Sequence, residues 1–358
     1  MIHIVLGTKA QLIKMAPVMS ELNDRGIEYN FVFTGQHRET IDSILDVFEL
    51  KKPDIQLYTH KESTSPLGVL FWFVRVFFTF SCSKKKIWQG DVNGYVLNHG
   101  DTLSTLLGAL FAKLHGHKAC HIESGLRSYS LLHPFPEELV RILVFRLSDY
   151  YFCPGDLAVS NVATYKGVKV NTEINTLYDA LTMALSGKHK ITVDIPQGDY
   201  SIVSIHRFEN IFDKRRFSKI VKIILEVATH HRLLLVLHKP TKRQLIKLGF
   251  FDTLNHHPNI LLRDRYDYFK FIKLIGGAKC VLTDGGSNQE ECSFLGKPCL
   301  ILRKHTERDD GLNESAVLCD LDIEKILGIM NNLDDYKRGR FEYSRSPSSV
   351  IVDTITGG

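Results

Sequence analysis

VNGYVLNHGDTLSTLLGALFAKLHGHKACHIES, residues 92–124, is the stretch on which the fold turns. VNGYVLNHGD (92–101) is the end of a strand. TLSTLLGALFAKLHG (102–116) spaces its apolar residues for a helix and stops at Gly116, and KACHIES (118–124) is a second strand. Strand, helix and strand in so short a span form a βαβ unit, so the two strands run parallel. The alternation continues outward on both sides. HIVLG (3–7) and YNFVFTG (29–35) are strands, and QLIKMAPVMSELNDRG (11–26) and ETIDSILDVF (39–48) are helices. PEELVRILVFRLS (136–148) is a helix with Pro136 at its first position, and YYFCP (150–154) is a strand. An irregular stretch, KGVKVNTEINT (166–176), follows, and then the pattern restarts. DYSIVSIH (199–206), RLLLVLH (232–238), NILL (259–262), KCVLTD (279–284) and PCLIL (298–302) are strands with helical segments between them. The expected fold class is α/β: two Rossmann-like, doubly wound parallel-sheet domains facing across a cleft. The expected domains are 1–167 and 168–349, with a final helical run over 350–358 packing back on the first.

Bulk properties fit that plan. A chain of 358 residues is long enough for two cores, and 44% apolar residues suit a globular protein. The net charge of +5 is small and comes without a long basic stripe, which argues against a nucleic-acid partner. The seven cysteines are odd in number and contain no CxxC pair, so they read as buried, reduced thiols and not as metal ligands. The opening MIHIVLGTKAQ reads as a first strand and not as a signal peptide, and the expected location is cytoplasmic. PLGVLFWFVRVFFTF (66–80) is strongly apolar, but it is shorter than a spanning helix needs and Arg75 interrupts it. It reads as a helix buried at a domain or subunit interface, with no transmembrane segment. Peripheral membrane contact through 66–86, where SKKK follows, is the lesser alternative.

In doubly wound sheets ligands bind beyond the carboxyl ends of the strands. Those positions here carry Lys9, Lys14, Gln36, His37, Arg38, Asp101, Glu123 and Glu137 in the first half. In the second half they carry His206, His238, Asp284 and Arg308. LTDGGSNQEECSFLGKP (282–298) ends a strand in glycines and then places Glu290 and Glu291 in the following helix. Gly285, Gly286 and Ser287 allow backbone N–H groups to meet a phosphate at a helix N-terminus. A carboxylate further along, Glu290 or Glu291, can accept hydrogen bonds from a sugar diol. A nucleotide offers both groups. The plainer alternative is a capped helix with acids in its first turn.

Several segments match one family in order. GTKAQLIKMAPV, TGQHRETID, HGDTLSTLLGAL, HIESGLRSYSLLHPFPEELVR, VSIHRFEN and LTDGGSNQEECSFLGKPCLILRKHTER resemble segments of the non-hydrolysing UDP-N-acetylglucosamine 2-epimerases. The resemblance implies two Rossmann-like domains in the glycosyltransferase-B arrangement, a homodimer, and a UDP-sugar substrate without a cofactor or metal. It places Asp101, Glu123, Glu137 and His206 on catalytic positions. It places Lys9, Lys14, Arg141, Phe271, Gly285, Gly286, Ser287, Glu291 and Arg308 on substrate-binding positions. Gln36, His37 and Arg38 fall on the segment that binds a second, activating UDP-GlcNAc in some members. Lys9 stands where the family carries arginine, Ala10-Gln11 where it carries Pro-Glu, and the glycine loop reads DGGS where it reads DSGG.

The family interconverts UDP-GlcNAc and UDP-ManNAc. The C2 hydrogen is not α to a carbonyl, so UDP is eliminated to a 2-acetamidoglucal and then adds back. That chemistry needs acid–base groups on both faces of the sugar, which several carboxylates supply. Asp101 and Glu137 are the expected proton-transfer groups, with Glu123 a third or a tuner of their pKa values. His206, Arg308 and Lys14 are expected to stabilise the departing diphosphate. Each residue also has a structural alternative. Asp101 would cap the next helix through DTLS, Glu137 would answer a helix dipole, and His206 would be a bonded strand-end histidine. His37, His121 and His238 read as structural. Four other functions compete: a hydrolysing 2-epimerase releasing ManNAc and UDP, an epimerase of a 6-deoxy or uronic acid UDP-2-acetamido sugar, a glycosyltransferase, and a UDP-sugar sensor.

Overall fold

The computed structural model describes residues 1–36, 41–59, 66–129, 136–186, 192–306, 308–343 and 345–357. His37, Arg38 and Glu39 lie outside the described residues. The chain divides into two compact units, Met1–Met183 with Ser344–Gly358, and Ala184–Tyr343.

The first unit holds strands β1 (Ile2–Leu6), β2 (Tyr29–Phe33), β3 (Ile55–Gln56), β4 (Tyr95–His99), β5 (Lys118–Ile122), β6 (Tyr150–Cys153) and β7 (Val168–Asn171). They pair in the order β3-β2-β1-β4-β5-β6-β7, every pair parallel. The second unit holds β8 (Ser201–Ile205), β9 (Leu233–Leu237), β10 (Ile260–Asp264), β11 (Val281–Thr283), β12 (Cys299–Ile301) and β13 (Ala316–Leu318). Their order is β10-β9-β8-β11-β12-β13, again all parallel. Central strands such as IHIVL and LLLVL are buried along their whole length, because helices cover both faces of a parallel sheet. The strand order reverses between β1 and β4 and between β8 and β11. Those two switch points are where a doubly wound sheet opens a crevice at its carboxyl edge.

The structure moves some sequence boundaries. Residues 168–171 were assigned to the second domain, but they form β7 and pair with β6 from Tyr150↔Val168 to Cys153↔Asn171. VKVN is an exposed edge strand, so it lacks the apolar run by which the central strands are read. Pro136 is the N-cap, and the helix proper is Glu137–Leu147. The final helix, Pro347–Thr356, packs on the first helix, Lys9–Asp24. Asp353 pairs with Arg25 at 2.6 Å and Ser349 Oγ donates to Glu21 at 3.0 Å. Buried Asp179 accepts Ser346 Oγ–H and Ser348 N–H at 2.9 and 2.8 Å, which ties the chain terminus to the body of its unit.

The apolar stretch becomes the helix Pro66–Cys82. One face, Trp72, Val76 and Phe80, is buried in the first unit's core. Trp72 Nε1–H donates to Thr34 O at 3.0 Å, and Phe80 stacks on Phe111 at 4.7 Å. The opposite face, Leu67, Leu70, Phe71, Val74 and Phe78, is exposed on the single chain. No helix among the described residues is long and apolar enough to cross a membrane. Six of the seven cysteines are buried and Cys82 is exposed. Burial pushes the Cys153 and Cys280 thiols up to about 12, which makes them unreactive.

Candidate active site

Each unit gathers charged side chains at its own switch point. In the first, Thr8 caps the helix Lys9–Asp24 through a capping box with Gln11. The buried Gln11 amide is fully used. Its oxygen accepts Gly7 and Thr8 N–H, and its nitrogen donates to His99 O at 2.7 Å and Thr105 Oγ1 at 2.9 Å. Gln11 therefore joins the ends of β1 and β4, and a carboxylate at this position could not make the two donor bonds. One turn on, buried Lys14 Nζ bonds Glu123 Oε1, which also accepts from Asn175 Nδ2. His99 Nε2 lies 3.7 Å from the other Glu123 oxygen. Glu123 follows β5 with φ of +61°, a left-handed conformation that costs a non-glycine residue on the order of 1 kcal/mol. The strain turns its carboxylate back to Lys14.

Asp101 follows β4 but does not cap the next helix. Thr102 is the cap, accepting from Thr105 N–H. Asp101 instead meets Arg141 Nη2 at 2.5 Å. Arg141 stands one turn into the helix Glu137–Leu147 and also touches buried Glu138 at 3.2 Å. Glu137 opens that helix, and its Oε2 is a buried atom with no hydrogen-bond partner among the described residues. A buried acceptor without a donor is costly unless a ligand supplies one. Behind this group, His121 is fixed as a neutral ring. Its Nε2–H donates to Gly100 O at 2.8 Å and its Nδ1 accepts from Ser124 Oγ–H at 2.9 Å. Burial lowers its pKa to about 4, so it braces the turn that carries Asp101. Lys9 opens the first helix half-buried, and Gln36 Oε1 accepts Ser104 Oγ–H at 2.8 Å.

In the second unit His206 follows β8 and Asp284 follows β11. Asp284 is fully buried and accepts His206 N–H at 2.9 Å, Arg207 N–H at 3.0 Å and Asn210 Nδ2–H at 3.0 Å. Its Oδ1 is 3.5 Å from His206 Nδ1. The His206 ring stacks on His238 at 4.7 Å. Burial lowers the His206 pKa; Asp284 opposes this, and Arg207, Arg265 and Arg303 add to it. His206 is therefore neutral near pH 7 and able to donate a single N–H. Gly285 caps the helix Gly286–Phe294, whose first N–H groups, at Gly286 and Ser287, have no intrahelical acceptor. Ser287 is exposed at this end, as an anion site requires. The two glutamates separate in role. Glu290 holds Arg308 Nη1 at 2.7 Å, while Glu291 accepts Asn288 Nδ2–H at 3.0 Å. Phe271 is half-buried on the helix Tyr268–Gly277.

The first unit thus brings Lys14, Asp101, Glu123, Glu137 and Arg141 to one sheet edge, and the second brings His206, Gly285, Gly286, Ser287, Glu291 and Arg308 to another. The sequence reading passed over Glu138, His99 and Asn175. Glu138 was hidden by its neighbour Glu137, since two adjacent acids differ only in which side of the helix they face. Asn175 lay in the segment read as irregular.

Among the described residues, His3, Asp91 and His117 form one compact group of possible metal ligands, within 4.8 Å of one another. Hydrogen bonds already occupy it. Asn30 Oδ1 accepts from Gln89, so its Nδ2–H groups point to Ile87 O and to His3 Nδ1 at 2.9 Å. His3 Nε2 then carries the proton and donates to Asp91 at 3.0 Å. His117 Nδ1 accepts Gly94 N–H at 2.9 Å. No imidazole lone pair is left facing the carboxylate. The group also sits at the amino ends of β1, β4 and β5, opposite the candidate site.

A family model described as UDP-N-acetylglucosamine 2-epimerase matches residues 20–349. The chain belongs to the UDP-N-acetylglucosamine 2-epimerase family. It is 31% identical to the UDP-N-acetylglucosamine 2-epimerase of Neisseria meningitidis, over 98% of each chain. It is 29% identical to that of Methanocaldococcus jannaschii, over 94% of this chain and 93% of the relative. Solved structures agree along the whole chain. The N. meningitidis epimerase bound to UDP-GlcNAc superposes with a TM-score of 0.80 at 27% identity, covering 100% of both chains. The M. jannaschii epimerase in complex with UDP-GlcNAc and UDP gives 0.79 at 26% identity, covering 100% of this chain and 99% of that one. The α/β architecture of two parallel-sheet units is that of the family.

Proposed function

We propose that the chain catalyses the reversible epimerisation of UDP-GlcNAc to UDP-ManNAc at C2. A base takes the C2 proton as the C1–oxygen bond to UDP breaks, and a C1–C2 double bond forms. UDP then adds back to the 2-acetamidoglucal while an acid protonates C2 from the other face. The observation that carries this reading is the gathering of Asp101, Glu123 and Glu137 at one sheet edge, with a cation on each of the first two. A transferase or a sensor has no need of three carboxylates there. Asp101 and Glu137 are the proposed proton-transfer groups, with Glu123 either a third or the group that tunes them. Lys14, Arg308 and neutral His206 would stabilise the diphosphate, and the Gly285–Ser287 amides would bind it. Glu291 would accept from the ribose diol, and Lys9, Arg141 and Phe271 would contact substrate. Gln36, His37 and Arg38 are the proposed activating segment.

The test is incubation of the protein with UDP-GlcNAc in D2O. Deuterium should appear at C2 in both UDP-sugars, with no free ManNAc. Release of ManNAc and UDP would instead make the chain a hydrolysing 2-epimerase. Exchange confined to 6-deoxy or uronic acid analogues would reassign the substrate.

We also propose a cytoplasmic homodimer that feeds surface polysaccharide synthesis, with a second copy covering Leu67, Leu70, Phe71, Val74 and Phe78. Contiguous exposed apolar side chains of this size mark interaction surfaces. Leu70→Glu with Phe71→Glu should convert the dimer to a monomer by light scattering. An unchanged mass would place the interface elsewhere.

A further inference from the structure

We propose that Glu138 is a positioning residue that acts through Arg141 to fix the orientation and charge environment of Asp101. The proposal rests on the reading of Asp101 as a proton-transfer group.

Glu138 is 0% exposed and its carboxylate is fully engaged. Oε1 accepts from Arg127 Nε. Oε2 accepts Ser128 N–H at 2.9 Å, Ser128 Oγ–H at 3.1 Å and Arg141 Nη1 at 3.2 Å. Arg141 is 8% exposed and gives its other terminal nitrogen to Asp101 at 2.5 Å. The guanidinium is planar, so fixing one nitrogen on Glu138 fixes the direction of the other. Glu138 and Arg141 stand at i and i+3 on one helix, so the helix itself sets their spacing. The result is a line of alternating charge, Arg127, Glu138, Arg141, Asp101, which starts on a loop and ends on the candidate base.

The line matters because Arg141 has more than one anion to choose from. Asp101, Glu138 and Glu123 all act on it. Asp101 is faced by Arg141 and, behind it, Glu138 from the helix Glu137–Leu147. His121 on β5 and Glu123 just beyond that strand also act on the same site, and Lys14 from the first helix is held by Glu123. With Glu138 in place the guanidinium is shared, and Asp101 meets only part of its charge. Without Glu138 the whole charge falls on Asp101 and Glu123. Asp101 then meets the full cation, and the guanidinium loses the contact that set its angle. Burial pushes the Glu138 pKa up, but the Ser128 N–H and Arg127 outweigh it and hold the carboxyl below its ordinary value. The anion on which the argument depends is therefore present at neutral pH.

The test compares pH profiles of C2 deuterium exchange. In Glu138→Gln the acid limb of kcat should move to lower pH, by up to about one unit, and kcat should fall at least tenfold with KM little changed. Glu138→Asp keeps the charge and should restore the limb. Arg127→Gln removes the competing cation, so Glu138 draws harder on Arg141 and the limb should move the other way. Ser128→Ala removes one neutral donor from Glu138 Oε2 but leaves every charge of the line in place, and should leave the limb where it is. An acid limb that stays fixed in both Glu138→Gln and Arg127→Gln overturns the proposal, and Glu138 is then only a loop anchor. If Glu138→Gln fails to fold, the Arg127→Gln shift alone decides between these outcomes. Full exchange by Asp101→Asn would instead overturn the reading of Asp101, whatever Glu138 does.

Discussion

Gly285 leaves no room for a β-carbon. One added there would come within 2.5 Å of His206 Cε1 and 2.8 Å of Asn288 Oδ1. The backbone does not need glycine at this position, because φ is −88° and open to any residue. The constraint is the His206 ring, held between the helix start and His238. Gly285→Ala should therefore push the ring out of its stack without unfolding the chain. A displacement near 1 Å in a catalytic group costs on the order of a hundredfold in rate. We expect kcat for C2 exchange to fall ten- to a hundredfold while the melting temperature moves by a few degrees at most. A variant with unchanged kcat would overturn the proposed role of His206 at the diphosphate. Glu123 presents the opposite case, since its backbone is strained and its side chain is what the strain serves. Both positions stood out in the sequence, but the sequence showed the backbone of only one of them. DGGS announces an open helix start by composition, whereas nothing in HIES announces a left-handed glutamate.

The helix Pro66–Cys82 is amphipathic in an unusual sense, with a buried aromatic face and an exposed one. Phe80 is wholly buried, stacks on Phe111 with rings 5° from parallel, and lies 5.9 Å from Trp88. Phe80→Ala should cost about 3–5 kcal/mol, because it removes a large ring from a packed core and leaves a cavity. Chemical denaturation should show that loss, while Phe78→Ala on the exposed side should cost well under 1 kcal/mol in a monomer. Equal costs for the two would mean that the outer face is as well packed as the inner one. The same distinction between buried and half-buried elements explains what the sequence revealed of the fold. The ten strands read from apolar runs include every strand flanking a switch point. The three it missed, β3, β7 and β13, are edges of two to four residues with partly exposed side chains. A short edge strand needs no long apolar run on both faces: IQ and VKVN are half polar, and AVL is only three residues long. Candidate residues at strand ends were legible because the crevice of a doubly wound sheet is fixed by topology. Glu138 and Asn175 were not, since their roles depend on which way a side chain turns within an element.

At the scale of the whole molecule, neutral buried histidines set the acid limit of the fold. His3, His117 and His121 are all at most 3% exposed, and burial lowers the pKa of each. His121 reaches about 4 from an ordinary 6.5. Above pH 6.5 it is neutral both folded and unfolded and has no effect on stability. Between 6.5 and 4 the unfolded chain takes the proton and the folded one does not, so stability falls as the pH falls. By pH 5 this one ring should cost on the order of 2 kcal/mol. Asp91, held down to about 2 although burial opposes it, works in the same direction at still lower pH, because His3 hydrogen-bonds its charged form. Asp179 works against them, since burial raises its pKa and protonation relieves the folded state as pH falls. In the window from 6.5 to 5 His121, lowered to about 4, is joined by His3 and His117 in the destabilising direction. The melting temperature should drop steadily from pH 7.5 to pH 5. His121→Gln can still donate to Gly100 O but cannot titrate. It should start lower at pH 7.5 and lose visibly less on acidification. A variant whose melting temperature falls as steeply as the parent's would show that His121 is already charged in the folded chain, and the neutral brace beneath Asp101 would have to be abandoned.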